Sequence, residues 1–383
     1  MTESRQAPDR SAGVCARCIR LSGLLMFLLT LPFISSCGSG SGGPVNPTLL
    51  TFAQGGSGES APDSIALTST NVWVGYGDGN APDGSDGKSN QIVEYDFTGT
   101  VVNTFTVKGH NDGLKVNPAD GTVWALQNED ANPSLVIINP TTKKQSTFTF
   151  GPTPHGGGYD DIVFTNGQVF LSASNPSNNP NNEPAIVEAT LSGSQVNVSP
   201  VVFGNATALN IPTNTPTTLN LQDPDSMTLD PSTGDLVMTS QADDELVIVG
   251  KPNLPSQTVS VLPLTMNGTP VSFDDSVFVT SRVGTLLIVD QAANTIYVLQ
   301  SASFIPGTVF SSASDIGKLG TTNLNTGVFT PLLKFAQPKG LAFTSQLVGL
   351  IVTESRGETR SIDDRMRRVF AGSMLLHFPF SQA

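Results

Sequence analysis

From about residue 60 onward, apolar positions alternate with polar ones over runs of four to eight residues, the period of half-buried strands rather than helices. The runs recur in order. A short strand opened by an acid appears as Asp63-Ser-Ile, Asp112-Gly-Leu, Asp161-Ile-Val, Asp225-Ser-Met and Asp275-Ser-Val, with Lys339-Gly-Leu in the sixth place. Their spacings are 49, 49, 64, 50 and 64 residues. A second strand comes after each opening: Val72-Trp-Val-Gly, Val123-Trp-Ala-Leu, Val169-Phe-Leu-Ser, Leu236-Val-Met-Thr and Leu286-Leu-Ile-Val. A third comes after that, as in Gln91-Ile-Val-Glu-Tyr, Ser134-Leu-Val-Ile-Ile, Glu245-Leu-Val-Ile-Val and Thr295-Ile-Tyr-Val-Leu. Turns such as Asn117-Pro-Ala-Asp-Gly and Asp230-Pro-Ser-Thr-Gly join the first two strands, and outer strands such as 101–107 and 145–150 finish each unit.

A four-stranded sheet of about 50 residues cannot bury both faces alone, so repeated copies must stack in a ring. The fold class expected is all-β: a β-propeller of six four-stranded blades over 48–345. The longer spacings predict insertions between Asn205 and Gln222 and around Ser301 to Gly317. For the sixth unit the pattern offers 339–344, 347–353 and 373–378. The stretch Thr48-Leu-Leu-Thr-Phe belongs to no unit of its own and is expected to close the last blade as its outer strand, removing two sheet edges. Residues 346–383 are therefore expected to complete the last blade or to form an Arg-rich tail unlike the rest of the chain.

The first 36 residues break the pattern. Arg5, Arg10, Arg17 and Arg20 precede an apolar run from Leu21 to Ile34 and the small residues Ser35 and Ser36, the layout of a secretory signal. The run is short of the roughly 20 residues a membrane-spanning helix needs. Ile34-Ser-Ser-Cys37 resembles the lipobox of bacterial lipoproteins, which implies cleavage before Cys37, lipid on its sulfur and anchoring at a membrane. Residues 37–47 then form a lipidated, Gly/Ser/Pro-rich tether. Cys15 and Cys18 form a CxxC upstream of the cleavage point and are expected to be lost with the signal. Glycine rather than aspartate at position 38 goes, in that family pattern, with sorting to the outer membrane. The expected address is the cell envelope, lipid-anchored and facing the periplasm or the cell surface.

Charge narrows the function classes. Setting aside the four arginines and two acids of 1–36, and the five arginines and four acids of 346–383, leaves 10 basic and 26 acidic groups, a net charge of −16. Such a body repels nucleic acid and attracts cations or basic ligands. In a four-stranded meander, the loops joining strands two and three share a face with the blade openings. That face collects Asp63, Asp112, Asp160, Asp161, Asp223, Asp225, Asp274 and Asp275 together with Glu129, Asp130, Asp243 and Asp244.

Two roles suit the opening acids. Asp63, Asp112, Asp161, Asp225 and Asp275 could ring the mouth of the central channel and hold one divalent cation such as calcium. Alternatively, each could accept backbone hydrogen bonds that start its strand. His110 and His155, two of the three histidines, fall in the openings of units two and three, as a proton-transfer or metal-ligand pair with Asp112 and Asp160, or as turn histidines.

This strand pattern resembles the NHL, YncE and SMP-30/gluconolactonase-like six-bladed propellers over residues 48–345. The resemblance implies the fold. SMP-30-like enzymes hold one divalent metal at the channel through a glutamate, asparagines and an aspartate, a set with no residue-by-residue counterpart here. Streptogramin-lyase-like propellers use rim histidines, which His110 and His155 echo. The function expected is a membrane-anchored binding or scaffold module whose acidic face takes a protein, glycan or cationic ligand. The alternative is a metal-dependent lactonase- or lyase-like enzyme with its site at the channel mouth. No cofactor other than the cation is expected.

Overall fold

The computed structural model describes residues 48–349 and two further strands, Ile351–Thr353 and Thr359–Ser361. The signal segment, Cys37, the tether and the candidate strand at 373–378 lie outside the described residues. Among those described, strands dominate, with two single-turn 3₁₀ helices and no α-helix.

The strands form six four-stranded antiparallel blades, four of them meanders of consecutive strands. Blade 1 runs outward through Pro62–Leu67, Asn71–Tyr76, Ser89–Asp96 and Val101–Lys108. Blade 2 comprises Asn111–Val116, Val123–Gln127, Ser134–Ile138 and Gln145–Phe150. Blade 3 comprises Ile162–Thr165, Gln168–Ser172, Pro184–Ser192 and Gln195–Phe203. The outer strands of blades 2 and 3 also pair in parallel through Thr149–Phe150 and Gln195–Val196, joining the two sheets. Blade 4 is Pro224–Leu229, Leu236–Ser240, Glu245–Gly250 and Thr258–Pro263. The insertion expected after Asn205 is a hairpin, Thr207–Asn210 with Thr215–Thr218, laid on the outer edge of blade 4.

Blades 5 and 6 differ from the order read in the sequence. Leu286-Leu-Ile-Val and Thr295-Ile-Tyr-Val-Leu do not extend the unit opened by Asp275. That opening strand, Asp275–Phe278, pairs instead with Val309–Ala313, which lies within the stretch expected to be an insertion; Lys318–Thr322 and Phe329–Lys334 complete blade 5. The hairpin Gly284–Asp290/Thr295–Ser301 crosses over and becomes the middle of blade 6, with Pro338–Thr344 inside it and Thr48–Gln54 outside. The N-terminal strand therefore closes the last blade as expected, but its partner is Thr295–Ser301, not the tail. Residues 347–353 do not supply the second strand: Ile351–Thr353 pairs only with Thr359–Ser361.

Burial shows why the ring holds. Side chains on the two sides of each sheet pack against the neighbouring blades, giving six apolar clusters, one per interface. Trp73 and Phe105 stack at 5.5 Å between blades 1 and 2. The cluster of Phe52, Val74, Leu287, Val298 and Ala342 joins blade 6 to blade 1 and closes the circle. Successive inner strands approach so closely that a Cβ on Gly113 would collide with the Asp160 carbonyl, and one on Gly340 with that of Asp63. The glycine in Asp112-Gly-Leu and Lys339-Gly-Leu is thus a packing requirement of the channel wall.

Candidate functional site

Every inner strand begins on the same face of the ring, so the residues that open the blades converge on the channel axis. Asp63, Asp112, Asp161, Asp225 and Asp275 all line one cavity there, of about 140 Å³. Asp160, Asp223, Asp274, Glu129 and Asp130 line it too, and the cations among its lining residues are Lys115 and Lys339.

The two lysines divide the mouth. Lys339, standing where the other five blades carry an acid, lies 2.5 Å from Asp274 Oδ1 and 4.0 Å from Asp63 Oδ2. Lys115 Nζ donates to Asp161 Oδ2 at 2.8 Å. It also lines a second cavity, of about 220 Å³, with Val116, Ile162, Phe164, Met227 and Leu229, so Lys115 borders both the acidic mouth and this more apolar space.

The opening acids do not share one role. Asp161 accepts the Ile162 N–H at 2.7 Å with one oxygen, and the Met227 N–H of blade 4 at 2.8 Å with the other. Asp275 repeats the pattern, accepting the Ser276 N–H at 2.6 Å and the Leu341 N–H of blade 6 at 2.7 Å. Both are staples between inner strands, the strand-starting role with a blade-to-blade component added.

Asp63, Asp112, Glu129 and Asp160 form a different group. Their carboxylate oxygens and a His110 ring nitrogen fall into two sets, Asp63/His110/Asp112 and Asp112/Glu129/Asp160; within each, all ligand atoms lie within 4.8 Å of one another. Asp112 belongs to both. Its Oδ2 is buried and accepts no hydrogen bond, because His110 Nε2, at 3.3 Å, is within ion-pair range without hydrogen-bond alignment. His110 Nδ1 faces the Asn80 carbonyl at 3.1 Å. A carbonyl can only accept, so Nδ1 carries a proton and Nε2 is the atom turned toward the carboxylates.

Burial and mutual repulsion hold protons on this group. Desolvation, against the pull of Lys339 and with the push of Asp112, raises Asp63 to about 7. Glu129 is pushed up to about 8 by burial and then by Asp112. Asp160 is raised well above the usual carboxylate range by burial, then by Asp225 and Glu129. For His110, burial opposes the charge, but Asp112, Glu129 and Asp63 outweigh it and lift the ring to about 9. Carboxylates crowded in this way favour any ligand that brings positive charge.

His155 is not part of this group. It is buried in the loop before blade 3, with Nε2 2.6 Å from the Gly158 carbonyl and its ring 5.2 Å from that of Tyr159. Burial lowers its pKa, and its ring contacts are with Gly158 and Tyr159 rather than with the carboxylates that His110 meets.

No protein-family profile matches the chain, and no curated protein matches it. Solved structures resemble it at low identity. A protein of unknown function from Bacteroides caccae aligns at a TM-score of 0.46 and 11% identity, covering 74% of this chain and 87% of that one. A protein provisionally named a gluconolactonase aligns at 0.43 and 12%, covering 77% and 83%. A provisionally named 6-phosphogluconolactonase from Bacteroides fragilis aligns at 0.40 and 12%, covering 73% and 72%. The propeller assignment rests on the strand topology above, and these likenesses carry no argument about activity.

Sequence reasoning placed the acids but not the Lys115–Asp161 pair. Lys115 looks like an ordinary strand residue until the ring brings Asp161, 46 positions later, against it. A lysine three residues after an opening acid, between Leu114 and Val116, was the available signal.

Proposed function

We propose that the protein is an exported, lipid-anchored propeller that binds one hard divalent cation, calcium foremost, through Asp63, Asp112, Glu129 and Asp160. One observation carries the reading: Asp112, the residue common to both ligand sets, has a buried Oδ2 that accepts no hydrogen bond. A buried carboxylate oxygen without an aligned donor is costly, and a cation there would satisfy it together with its neighbours. The oxygen-rich set suits calcium over softer metals. His110, charged up to about pH 9, is a counter-ion to the carboxylates that a metal would displace or deprotonate.

The cavity supports this scale of ligand. At about 140 Å³ it takes a cation with a few waters, each needing about 30 Å³. Small-molecule pockets start at roughly 300 Å³, so the reading is of a binding module whose cation is itself the ligand or bridges to an acidic or hydroxyl-rich partner at the mouth. The lipid-anchored address is inferred from the lipobox resemblance at Cys37; among the described residues no helix is long and apolar enough to cross a membrane.

The test is thermal unfolding of metal-stripped protein with and without calcium. At calcium about a hundredfold above its Kd, linkage supplies about 2.7 kcal/mol, which for a domain of this size is a rise of about 4 °C. Magnesium, which demands a tighter octahedral shell, should give less. No shift with calcium, or an equal shift in Asp112→Asn, contradicts the assignment.

A further inference from the structure

One part of the mouth face is almost without charge. Residues 173–183 join the two middle strands of blade 3, and 204–222 lead from the end of blade 3 toward the opening of blade 4. Together they carry one acid, Glu183, and no base, in a body of net charge −16. The Gly204 N–H donates to the Glu183 carbonyl at 2.8 Å and joins the two stretches. Both reach the mouth: Ser174 Oγ donates to the Glu129 carbonyl at 2.6 Å, and the Gln222 N–H donates to Asp243 Oδ2 at 2.7 Å, one residue before Asp223 on the cavity wall. Phe203 stands at the outer end, opposite Pro184 in the last pair of blade 3's outer strand. The result is a ledge running from the cavity to the rim across blades 3 and 4, over the three strand spacings of about 4.8 Å that separate inner from outer strands.

Asparagine replaces charge there. Asn179, Asn182, Asn205 and Asn220 are all exposed. They hold one another: Asn220 Nδ2 donates to Asn179 Oδ1 at 3.3 Å, Asn205 Nδ2 donates to Asn182 Oδ1 at 3.1 Å, and Asn220 Oδ1 accepts the Asn181 N–H at 2.9 Å. These bonds leave, among the described residues, Nδ2 of Asn179 and of Asn182 and Oδ1 of Asn205 without a partner. Amides offering both donors and acceptors match hydroxyl groups, which are also both, and side chains already ordered lose little freedom on binding. Phe203 adds an apolar element. It is 44% exposed, and among the described residues no other aromatic side chain is as exposed. Its ring can take the C–H face of a sugar, whereas a single ring among amides is too little apolar surface for the core of a protein interface.

We propose that this ledge binds a neutral oligosaccharide, its hydroxyls bonded by Asn179, Asn182 and Asn205 and one sugar ring stacked on Phe203. The acidic body repels acidic glycans, so the ledge selects uncharged chains. At its inner end the bound chain presents hydroxyls to the cation of the channel mouth; that last step rests on the cation reading, and the ledge contact does not.

The experiment titrates cellohexaose, laminarihexaose, maltohexaose and chitohexaose into the purified protein by calorimetry, in EDTA and then in calcium, with oligogalacturonate as the charged comparison. At least one neutral hexamer should bind in EDTA with a Kd of about 1 mM or tighter, and oligogalacturonate at least about tenfold more weakly. Phe203→Ala, and separately Asn182→Ala/Asn205→Ala, should each weaken the hexamer at least about tenfold with the melting temperature unchanged, while Phe203→Tyr keeps the stacking ring and the affinity. Binding of none of the neutral hexamers, binding undiminished in either alanine variant, or a preference for oligogalacturonate overturns the proposal. The cation reading fails separately: calcium should tighten the hexamer in the wild type and not in Asp112→Asn, and hexamer binding indifferent to both leaves the ledge in place without its cation.

Discussion

Carboxylates that look equivalent in the repeat do opposite work once folded. Asp161 is satisfied by two backbone N–H groups and Lys115, whereas Asp112 has a buried oxygen with no donor. Asp161→Asn leaves the Lys115 ammonium without its counter-charge and should cost about 3–5 kcal/mol in urea unfolding. Asp112→Asn removes a charge that its carboxylate neighbours repel but also the group that does most to hold His110 charged, so it should cost the metal-free protein less than Asp161→Asn while abolishing the calcium-induced stabilisation; equal losses in the two variants would refute this division. pH should act in the same sense. Asp63, raised to about 7, and Glu129, raised to about 8, keep in the folded state protons that the unfolded chain gives up near pH 4. The folded state then binds more protons, so the stability these groups contribute is full below about pH 4 and lost as pH rises through 7 to 8. His110, raised to about 9, contributes stability below about pH 6.5 that is lost through 9, the same direction. Metal-free protein should melt at falling temperature from pH 5 to 8.5, and calcium should flatten that slope because it replaces the protons. A slope of the opposite sign would mean the carboxylates are not held protonated by burial.

At the scale of strands, alternation and turn chemistry made the inner strands of most blades legible but not Val309–Ala313, Lys318–Thr322 and Phe329–Lys334 of blade 5, and showed pairing partners only where they are adjacent in sequence. Leu286-Leu-Ile-Val comes after Asp275-Ser-Val at a spacing that suits a local hairpin, and nothing in its own residues shows that it pairs with Leu341 and Phe343 instead. That choice is made by long-range packing: Leu286 and Ile288 lie with Phe310, Leu319 and Leu341 between blades 5 and 6, while Leu287 and Val289 lie with Val74 and Phe52 between blades 6 and 1. A strand buried on both sides reads as a continuous apolar run and carries no directional signal. Leu287→Ala should therefore cost about 2–5 kcal/mol, as for a fully buried core leucine. A loss below about 1 kcal/mol, typical of an exposed position, would indicate that the hairpin does not sit inside blade 6.

Over the whole molecule, the ring has six interfaces and no central core, and the N-terminal strand supplies the outer edge that closes it. The repeat of opening acids was enough to place the channel mouth from sequence, because identical positions in identical blades must meet on the axis. The grouping within that mouth was not legible: it depends on Lys339 replacing the sixth acid, on Lys115 reaching Asp161, and on Glu129, from a loop between strands, reaching Asp112 and Asp160. Closure of the ring thus converts a repeated strand-start residue into an unevenly charged site, in which some carboxylates are bound into strand staples and others are crowded together. The most direct measurement of that claim is calorimetric titration of calcium into metal-stripped protein at pH 8. The account predicts one ion per chain at micromolar or tighter strength, with protons released on binding and affinity lower by at least about tenfold in Asp112→Asn. An absence of binding, or binding of the same strength in that variant, would contradict it and leave the acidic mouth as a set of strand staples.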